Sequence, residues 1–192
     1  MKEDKKLIRK RILEIREAAD AGFIHEMSLK ITKKLTAMEI IKSSETVMAY
    51  MDFRNEVATM DLIKFCILHG KRVALPRIER GEKGQKDINA YEIHDVLSDT
   101  EPGFYGIMEP VRNTENLVRP EEIDIVLVPG VAFSEDRYRI GYGAGFYDRF
   151  LKRLRADCAK VGMAFEFQVL KSIPVEEHDV PLDMIVTEKR II

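Results

Sequence analysis

Cysteine is scarce in this sequence: Cys66 and Cys158 are the only two among 192 residues. No CxxC pair and no Cys/His cluster at zinc spacing accompanies them, which excludes a disulfide scaffold and a structural zinc site. Cys66 sits inside the apolar run Leu62-Ile63-Lys64-Phe65-Cys66-Ile67-Leu68, the setting of a packed free thiol. Long apolar runs are also lacking, so no stretch approaches a membrane span. The opening segment is charged and amphipathic, without the apolar core of a signal peptide. A cytoplasmic protein with no membrane partner is expected. Nor does one sign of charge dominate: 31 basic residues face 33 acidic ones, a formal net charge of −2. A nucleic-acid binder carries a basic domain or stripe. Here the basic cluster from Lys2 to Arg16 is interleaved with acidic residues, which allows a local phosphate contact and argues against a nucleic-acid partner.

The length fits a single domain spanning residues 1–192, with two small domains as the alternative. A fold of this size removes roughly 70% of its unfolded surface from water, enough to stand without a disulfide or metal. The pattern along the chain is α/β. Residues 3–20 read as a helix with Ile8, Ile12, Ile15 and Ala19 on one face, and Lys5, Arg9 and Arg16 together on a neighbouring one. Phe23 to Leu35 reads as a second helix. Val47 to Met51 is a strand, followed by a helix that Thr59 would cap and Gly70 would end, then by a strand from Arg72 to Pro76 closed by its proline. Strand, helix, strand at this spacing is a βαβ unit, which builds parallel sheets. Residues 79–87 suit an exposed hairpin or loop, Asn89 to His94 a strand, and 98–121 a long connection. Ile123 to Pro129 is apolar enough for a strand buried on both faces. A helix over Arg149 to Arg155 and strands over Lys160–Ala164 and Met184–Thr187 complete a three-layer, Rossmann-like α/β domain with a mostly parallel sheet and helices on both faces.

The most informative stretch is Val128-Pro129-Gly130-Val131-Ala132-Phe133, then Arg139-Ile140-Gly141-Tyr142-Gly143-Ala144-Gly145-Phe146-Tyr147-Asp148-Arg149-Phe150-Leu151. A buried strand runs into a loop that ends in alternating glycines at the start of a helix. Glycines let a backbone turn tightly and approach a ligand, and free N–H groups at a helix start favour an anion. The dinucleotide fingerprint is excluded, because it needs glycine where Phe146 stands, and no GxxxxGK[ST] occurs. Arg139 can fork onto phosphate oxygens, and Asp148 is placed to hold Mg²⁺ between them.

This stretch resembles the signature of the 5-formyltetrahydrofolate cyclo-ligase family, which reads roughly PGxAFDxxGxRLGYGGGYYDRFL. Other landmarks follow in order across nearly the whole chain. Lys5-Lys6-Leu7-Ile8-Arg9 is similar to the family's K-x-x-x-R helix start. Tyr50-Met51 with Asn55-Glu56-Val57-Ala58-Thr59 resembles its Y-M…E-V-x-T segment. Gly106-Ile107-Met108-Glu109-Pro110 resembles G-I-x-E-P, and Gln168-Val169, His178-Asp179 and Thr187-Glu188 resemble Q-V…H-D…T-E.

The resemblance implies an enzyme that uses ATP and Mg²⁺ to convert 5-formyltetrahydrofolate to 5,10-methenyltetrahydrofolate, acting on small molecules; a monomer is expected. It implies ATP contacts from Lys5, Arg9, Arg139, Gly141, Tyr142, Gly143, Ala144, Gly145, Phe146 and Tyr147. It further implies folate contacts from Arg9, Met51, Glu56 and residues 142–146, with Glu56 hydrogen-bonding the pterin ring. Arg139 and Tyr147 would be catalytic, and Asp148 and Asp179 the Mg²⁺ ligands. Four positions depart from the family pattern: Ser134 replaces Asp, Arg137 and Ala144 replace Gly, and Phe146 replaces Tyr.

Without the resemblance, plainer readings stand beside these. Lys5, Arg9 and Arg16 would be a solvated helix face, and Glu56 an exposed loop carboxylate. Asp148 would be a charge favoured at a helix start, Asp179 the opening of a turn, and His178 a loop residue. Tyr142, Phe146, Tyr147 and Phe150 would be core aromatics, a reading kept for Phe150. Two other functions also stand: a non-catalytic folate- or nucleotide-binding module, for which Arg137 and Ala144 speak, and a different phosphate-handling enzyme on a similar scaffold.

Overall fold

The computed structural model describes residues 4–80 and 84–192. The chain opens with helices α1 (Lys5–Ala18), α2 (Ala21–Ala37) and α3 (Glu39–Ser43). Asp4 and Asp20 cap the first two, each accepting backbone N–H groups that the helix start leaves unpaired. The first helix therefore starts and stops inside the expected 3–20 span, of which residue 3 lies outside the described residues. Strand β1 (Thr46–Met48), helix α4 (Met60–Leu68) and strand β2 (Arg72–Arg80) form the expected βαβ unit, with β1 and β2 parallel. Thr59 occupies the cap position but donates its hydroxyl to the Tyr50 carbonyl at 2.5 Å instead of capping the helix.

β2 does not end at Pro76. It runs on through the proline to Arg80, paired antiparallel with β3 (Lys86–Ile93). The reason is local: β1 pairs with β2 only as far as Ala74. Beyond that point no strand among the described residues pairs with the second side of β2, so the missing N–H of Pro76 costs no ladder bond. The tip of the expected 79–87 hairpin, residues 81–83, lies outside the described residues. The 98–121 connection is more structured than its composition indicates. It holds β4 (Thr100–Pro102) and β5 (Met108–Pro110), paired to each other, and β6 (Leu117–Val118), paired to β3.

Next come β7 (Ile125–Val128), β8 (Ala132–Ser134), β9 (Arg139–Ile140), helix α5 (Phe146–Leu151), β10 (Ala159–Met163), β11 (Val169–Leu170) and β12 (Met184–Val186). The helix expected over 149–155 thus begins and ends earlier, starting directly from Gly145. The main sheet has seven strands in the order β12-β10-β7-β1-β2-β3-β6, parallel from β12 to β2. All four residues of β7 are fully buried. One face packs on Ile31, Leu35, Ile41, Leu62, Ile63 and Cys66 from α2, α3 and α4. The other packs on Phe150 and Leu151 of α5 together with Cys158 and Leu182. Helices therefore cover both faces, as the sequence predicts. A second sheet, β11-β8-β9, lies outside what the sequence pattern predicts; Ile8 and Ile12 of α1 pack against it beside Val131, Ala132 and Ile140. That contact lays α1 across the loops that follow β7.

Candidate active site

From β1 the chain passes one way along the sheet to β2 and β3; from β7 it passes the other way, to β10 and β12. A crevice opens beyond the carboxyl ends of strands wherever the strand order reverses in this manner. A cavity of about 540 Å³ occupies that place, between the loop after β1 and the loops after β7 and β9. All the residues assigned to sites from the sequence line it: Lys5, Arg9, Met51, Glu56, Arg139, Gly141 through Tyr147, Asp148 and Asp179. Segment 104–109 closes another side, and Pro76 and Ile78 of β2 add an apolar wall.

At one end of the cavity charges are grouped in pairs. Lys5 Nζ donates to Asp179 Oδ2 at 2.6 Å and to Glu176 Oε2 at 3.1 Å. Burial works against the ammonium, yet these partners carry its pKa above the usual lysine value. Burial likewise opposes the Asp179 carboxylate, while Lys5 and the Glu176 N–H hold it below the usual range. Arg139, only 6% exposed, donates from Nη2 to Asp148 Oδ1 at 3.1 Å. Burial lowers the Arg139 pKa, and Asp148 and Asp179 both act against that by their charge. Arg9 donates from Nε to the Gly141 carbonyl at 2.8 Å, tying α1 to the glycine loop.

Within that loop Gly143 and Gly145 hold φ of +105° and +65°, which favour glycine. Ala144 between them is not a left-handed residue, so the methyl group that replaces a family glycine is accommodated. Phe146 turns its ring edge-on to Phe104, 6.4 Å between centroids. It thus serves as an apolar wall, a role that needs no hydroxyl.

The other end is built differently. Glu56 is 5% exposed; its Oε2 accepts the Phe53 N–H at 3.1 Å, but Oε1 has no hydrogen bond and lies 3.7 Å from Arg16 Nη1. Burial pushes the Glu56 carboxyl up to about 7 despite the Arg16 guanidinium. Two more buried polar atoms lack partners, Arg139 Nε and the Tyr147 hydroxyl. Buried polar groups are nearly always satisfied, so these three orphans around one cavity are bonding positions for a water or a ligand. Burial, with the Glu56 charge added, raises the Tyr147 pKa far above the usual phenol value, so this hydroxyl keeps its proton. The exposed-carboxylate reading of Glu56 and the solvated-face reading of Arg16 are both overturned, since Arg16 is fully buried. Helical spacing placed Arg16 on the face of Lys5 and Arg9, but spacing carries no signal of what covers that face.

Ser134 and Arg137 are the remaining departures. Ser134 is buried and accepts the Tyr138 N–H at 3.3 Å, closing the β8–β9 turn. Arg137 takes φ +64° in that turn, the conformation a glycine would favour. Its carbonyl accepts the Leu182 N–H at 2.9 Å and its side chain reaches the Asp183 carbonyl at 3.2 Å. The strand after it still pairs, Phe133 with Arg139, so Arg139 is delivered to the cavity despite the change.

A profile of the 5-formyltetrahydrofolate cyclo-ligase family matches residues 1–188. The chain belongs to this family. It is 31% identical over 188 residues to the 5-formyltetrahydrofolate cyclo-ligase of Mycoplasma pneumoniae, covering 97% of this chain and 99% of that one. It is 31% identical over 178 residues to the enzyme of that name from Haemophilus influenzae, covering 91% and 92%. Among solved structures it resembles the 5,10-methenyltetrahydrofolate synthetase of Aquifex aeolicus, with a TM-score of 0.83 at 35% identity over 97% of this chain and 91% of the other.

For a cyclo-ligase that needs a divalent cation, the donors present are suitable. Asp148 and Asp179 offer carboxylate oxygens to the same cavity, the chemistry a hard ion takes. Glu176, His178 and Asp179 also bring one potential ligand atom each within 4.8 Å of one another. Imidazole is a poor ligand for Mg²⁺, and the His178 side chain is 63% exposed, so carboxylate oxygens remain the fitting set.

Proposed function

We propose that this chain converts 5-formyltetrahydrofolate to 5,10-methenyltetrahydrofolate at the expense of ATP, with Mg²⁺, releasing ADP and phosphate. The observation that carries the reading is the meeting of the two ends of the cavity at Arg139 and Tyr147. Arg139 pairs with Asp148 on one side and lies 5.5 Å from the Tyr147 ring centroid on the other. Tyr147 in turn feels the charge of Glu56. A phosphate donor at the paired-charge end and a pterin at the Glu56 end would bring their reacting groups together there.

The N5-formyl group is amide-like, a poor electrophile whose oxygen is a poor leaving group. Transfer of the γ-phosphoryl group to that oxygen breaks the bond to the ADP oxygen and forms an imidate-like phosphate ester. N10 then attacks the formyl carbon, the ring closes, and phosphate departs. The protein supplies alignment and charge. Lys5, Arg9 and Arg139 would hold the phosphates, with contributions on the order of 2–4 kcal/mol per well-placed donor in the transition state. The orphaned Arg139 Nε and Tyr147 hydroxyl are donors free to meet the formyl oxygen. Asp148 and Asp179 would hold Mg²⁺, whose chemistry there is neutralisation of phosphate charge. Glu56 would accept N–H donors of the pterin, with Met51 and Phe146 as apolar walls. The reading includes a monomeric, cytoplasmic enzyme without nucleic-acid or membrane partners. Among the described residues no helix is long and apolar enough to cross a membrane.

The test is a spectrophotometric assay of purified protein with 5-formyltetrahydrofolate, ATP and Mg²⁺, because the methenyl product absorbs at longer wavelength. An ATP-dependent rise abolished by EDTA is expected. Tight folate or ATP binding with no rise would replace the enzyme by a binding module.

A further inference from the structure

Helix α1 contributes to this cavity twice. Lys5 and Arg9 reach it directly, while Arg16, two turns further along, is sealed behind its wall. The Arg16 guanidinium joins segments far apart in sequence. Nε donates to the Arg54 carbonyl at 2.8 Å, Nη1 to the Gly130 carbonyl at 3.2 Å, and Nη2 to the Tyr142 hydroxyl. The same Nη1 stands 3.7 Å from the unbonded Oε1 of Glu56. Thus one buried side chain touches the turn after β1, the loop after β7 and the glycine loop.

The turn it touches is strained. Arg54 and Asn55 are consecutive left-handed residues, with φ of +49° and +57°. Asparagine tolerates that conformation, but arginine has no local reason to adopt it, so surrounding contacts must impose it. Those contacts come from the end of α1 in both directions: Arg16 bonds the Arg54 carbonyl, and Asn55 Nδ2 donates back to the Arg16 carbonyl at 3.1 Å. The Arg54 side chain also pairs with Glu17. Glu56 follows immediately, and its direction is set by the turn.

Resting on the functional reading above, we propose that Arg16 is a positioning residue for the folate end: it holds turn 53–56 in its left-handed form and keeps Glu56 Oε1 in place beside a cation and facing the ligand. At 3.7 Å the guanidinium attracts the carboxylate without occupying it as a hydrogen bond would. The Tyr142 hydroxyl also acts on this carboxylate, and an N–H donor of the ligand would complete the bonding of Oε1. The same guanidinium fixes the Tyr142 hydroxyl, so the glycine loop and the Glu56 turn are set relative to each other before any ligand arrives. Other groups also face Glu56. Asp52 in its own loop and the phenols of Tyr50 by β1, Tyr142 and Tyr147 share its surroundings, so the cation among them is Arg16.

Steady-state kinetics of Arg16→Gln and Arg16→Lys test the role, with folate and ATP varied separately and the pH profile of kcat/KM for folate recorded. In Arg16→Gln the KM for 5-formyltetrahydrofolate is expected to rise about tenfold or more, with the KM for ATP moved less than about twofold. Loss of the guanidinium raises the Glu56 pKa further, so the acid limb of the folate profile, near pH 7 in the parent, moves to higher pH. Arg16→Lys retains charge but cannot serve three acceptors at once. It should leave the acid limb in place while still raising the folate KM, and it decides the matter if the glutamine variant does not fold. Equal losses for ATP and folate would make Arg16 merely structural, and an unchanged folate KM would also overturn the role. A parent protein that neither binds nor turns over 5-formyltetrahydrofolate overturns the functional reading itself, and the Arg16 role with it.

Discussion

At the glycine-loop end of the cavity Lys5, Arg139, Asp148 and Asp179 are paired with one another and Arg9 has a carbonyl partner, whereas at the Glu56 end a buried carboxylate oxygen has no hydrogen bond. Counting Glu176, which also pairs with Lys5, three basic groups (Lys5, Arg9 and Arg139) face three carboxylates (Glu176, Asp148 and Asp179), so the first end is neutral within itself. A polyphosphate that takes Lys5 and Arg139 strands two carboxylates, and a cation that takes the carboxylates strands two basic groups. Only the two ligands together leave every charge matched, because an uncompensated buried charge is costly. The second end is not balanced in this way: a strained turn holds a buried carboxylate oxygen that no hydrogen bond among the described residues satisfies, and on the proposed reading a ligand donor would meet it. On the function proposed, one cavity would use exchange of partners for an anionic ligand and preorganisation for a hydrogen-bonding ring.

Asp148→Asn gives the largest expected effect and breaks the first end alone. It removes a carboxylate from the exchange while keeping the shape of the side chain. ATP-dependent turnover should fall by about a thousandfold or more, with the protein still folded by circular dichroism. Folate affinity, measured by titration without ATP, should stay close to the parent value. A parallel loss of folate affinity would mean that the ends are not separable, and unchanged turnover would sink the role of Asp148.

Glu56→Gln breaks the second end with opposite effects on function and stability. Folate affinity should fall on the order of tenfold to a hundredfold, the range for losing a charge-assisted hydrogen bond of ~1.5–3 kcal/mol. Stability should rise. The Glu56 carboxyl lies near 7 in the fold against 4.5 for the free group, so the native state holds this proton more tightly than the unfolded chain does. Stability is therefore lost as pH climbs from 4.5 towards 7, and the full cost is carried above 7. Glutamine carries no such charge, and Arg16 keeps its carbonyl and hydroxyl acceptors. Denaturant melts at pH 8 should show a gain on the order of 2–3 kcal/mol that shrinks as pH is lowered. A loss of stability at pH 8 would show that the Arg16 pairing outweighs the burial of Glu56.

How much of this was legible in the sequence differs between the two ends. The glycine-loop end announces itself in one continuous stretch, Arg139 to Asp148, since tight turns and phosphate contacts demand glycine and charge at fixed local spacing. The parallel strands were legible for a related reason: β7 is buried on both faces and must be apolar throughout. Glu56 was reached only through family resemblance, because a lone carboxylate after a strand has no periodic signature. Arg16 was not assigned to the site at all. Its partners at 54, 130 and 142 are contacts of tertiary structure, and nothing local distinguishes a buried arginine on a helix from a solvated one. Pro76 misled in the same way: proline ends a strand that has neighbours on both sides, and the sequence does not tell that β1 stops short of it.

Arg137→Gly carries the smallest expected effect and sharpens the comparison by touching neither end. Arg137 does not line the cavity, and its side chain points to the Asp183 carbonyl. Its left-handed φ costs about 1 kcal/mol that glycine would not incur, but glycine adds unfolded-state entropy worth roughly 0.5–1 kcal/mol and loses the bond to Asp183. The Leu182 N–H still has the residue 137 carbonyl to bond, whichever side chain is present. These contributions nearly cancel, so thermal unfolding should shift by less than about 1 kcal/mol and turnover by less than about twofold. Restoring the family residue would then leave activity where it was, because the turn delivers Arg139 through the pairing of β8 and β9 and not through the identity of residue 137. A large rise in turnover would instead show that this turn strains Arg139 away from its working position, and would join a third region to the two compared here.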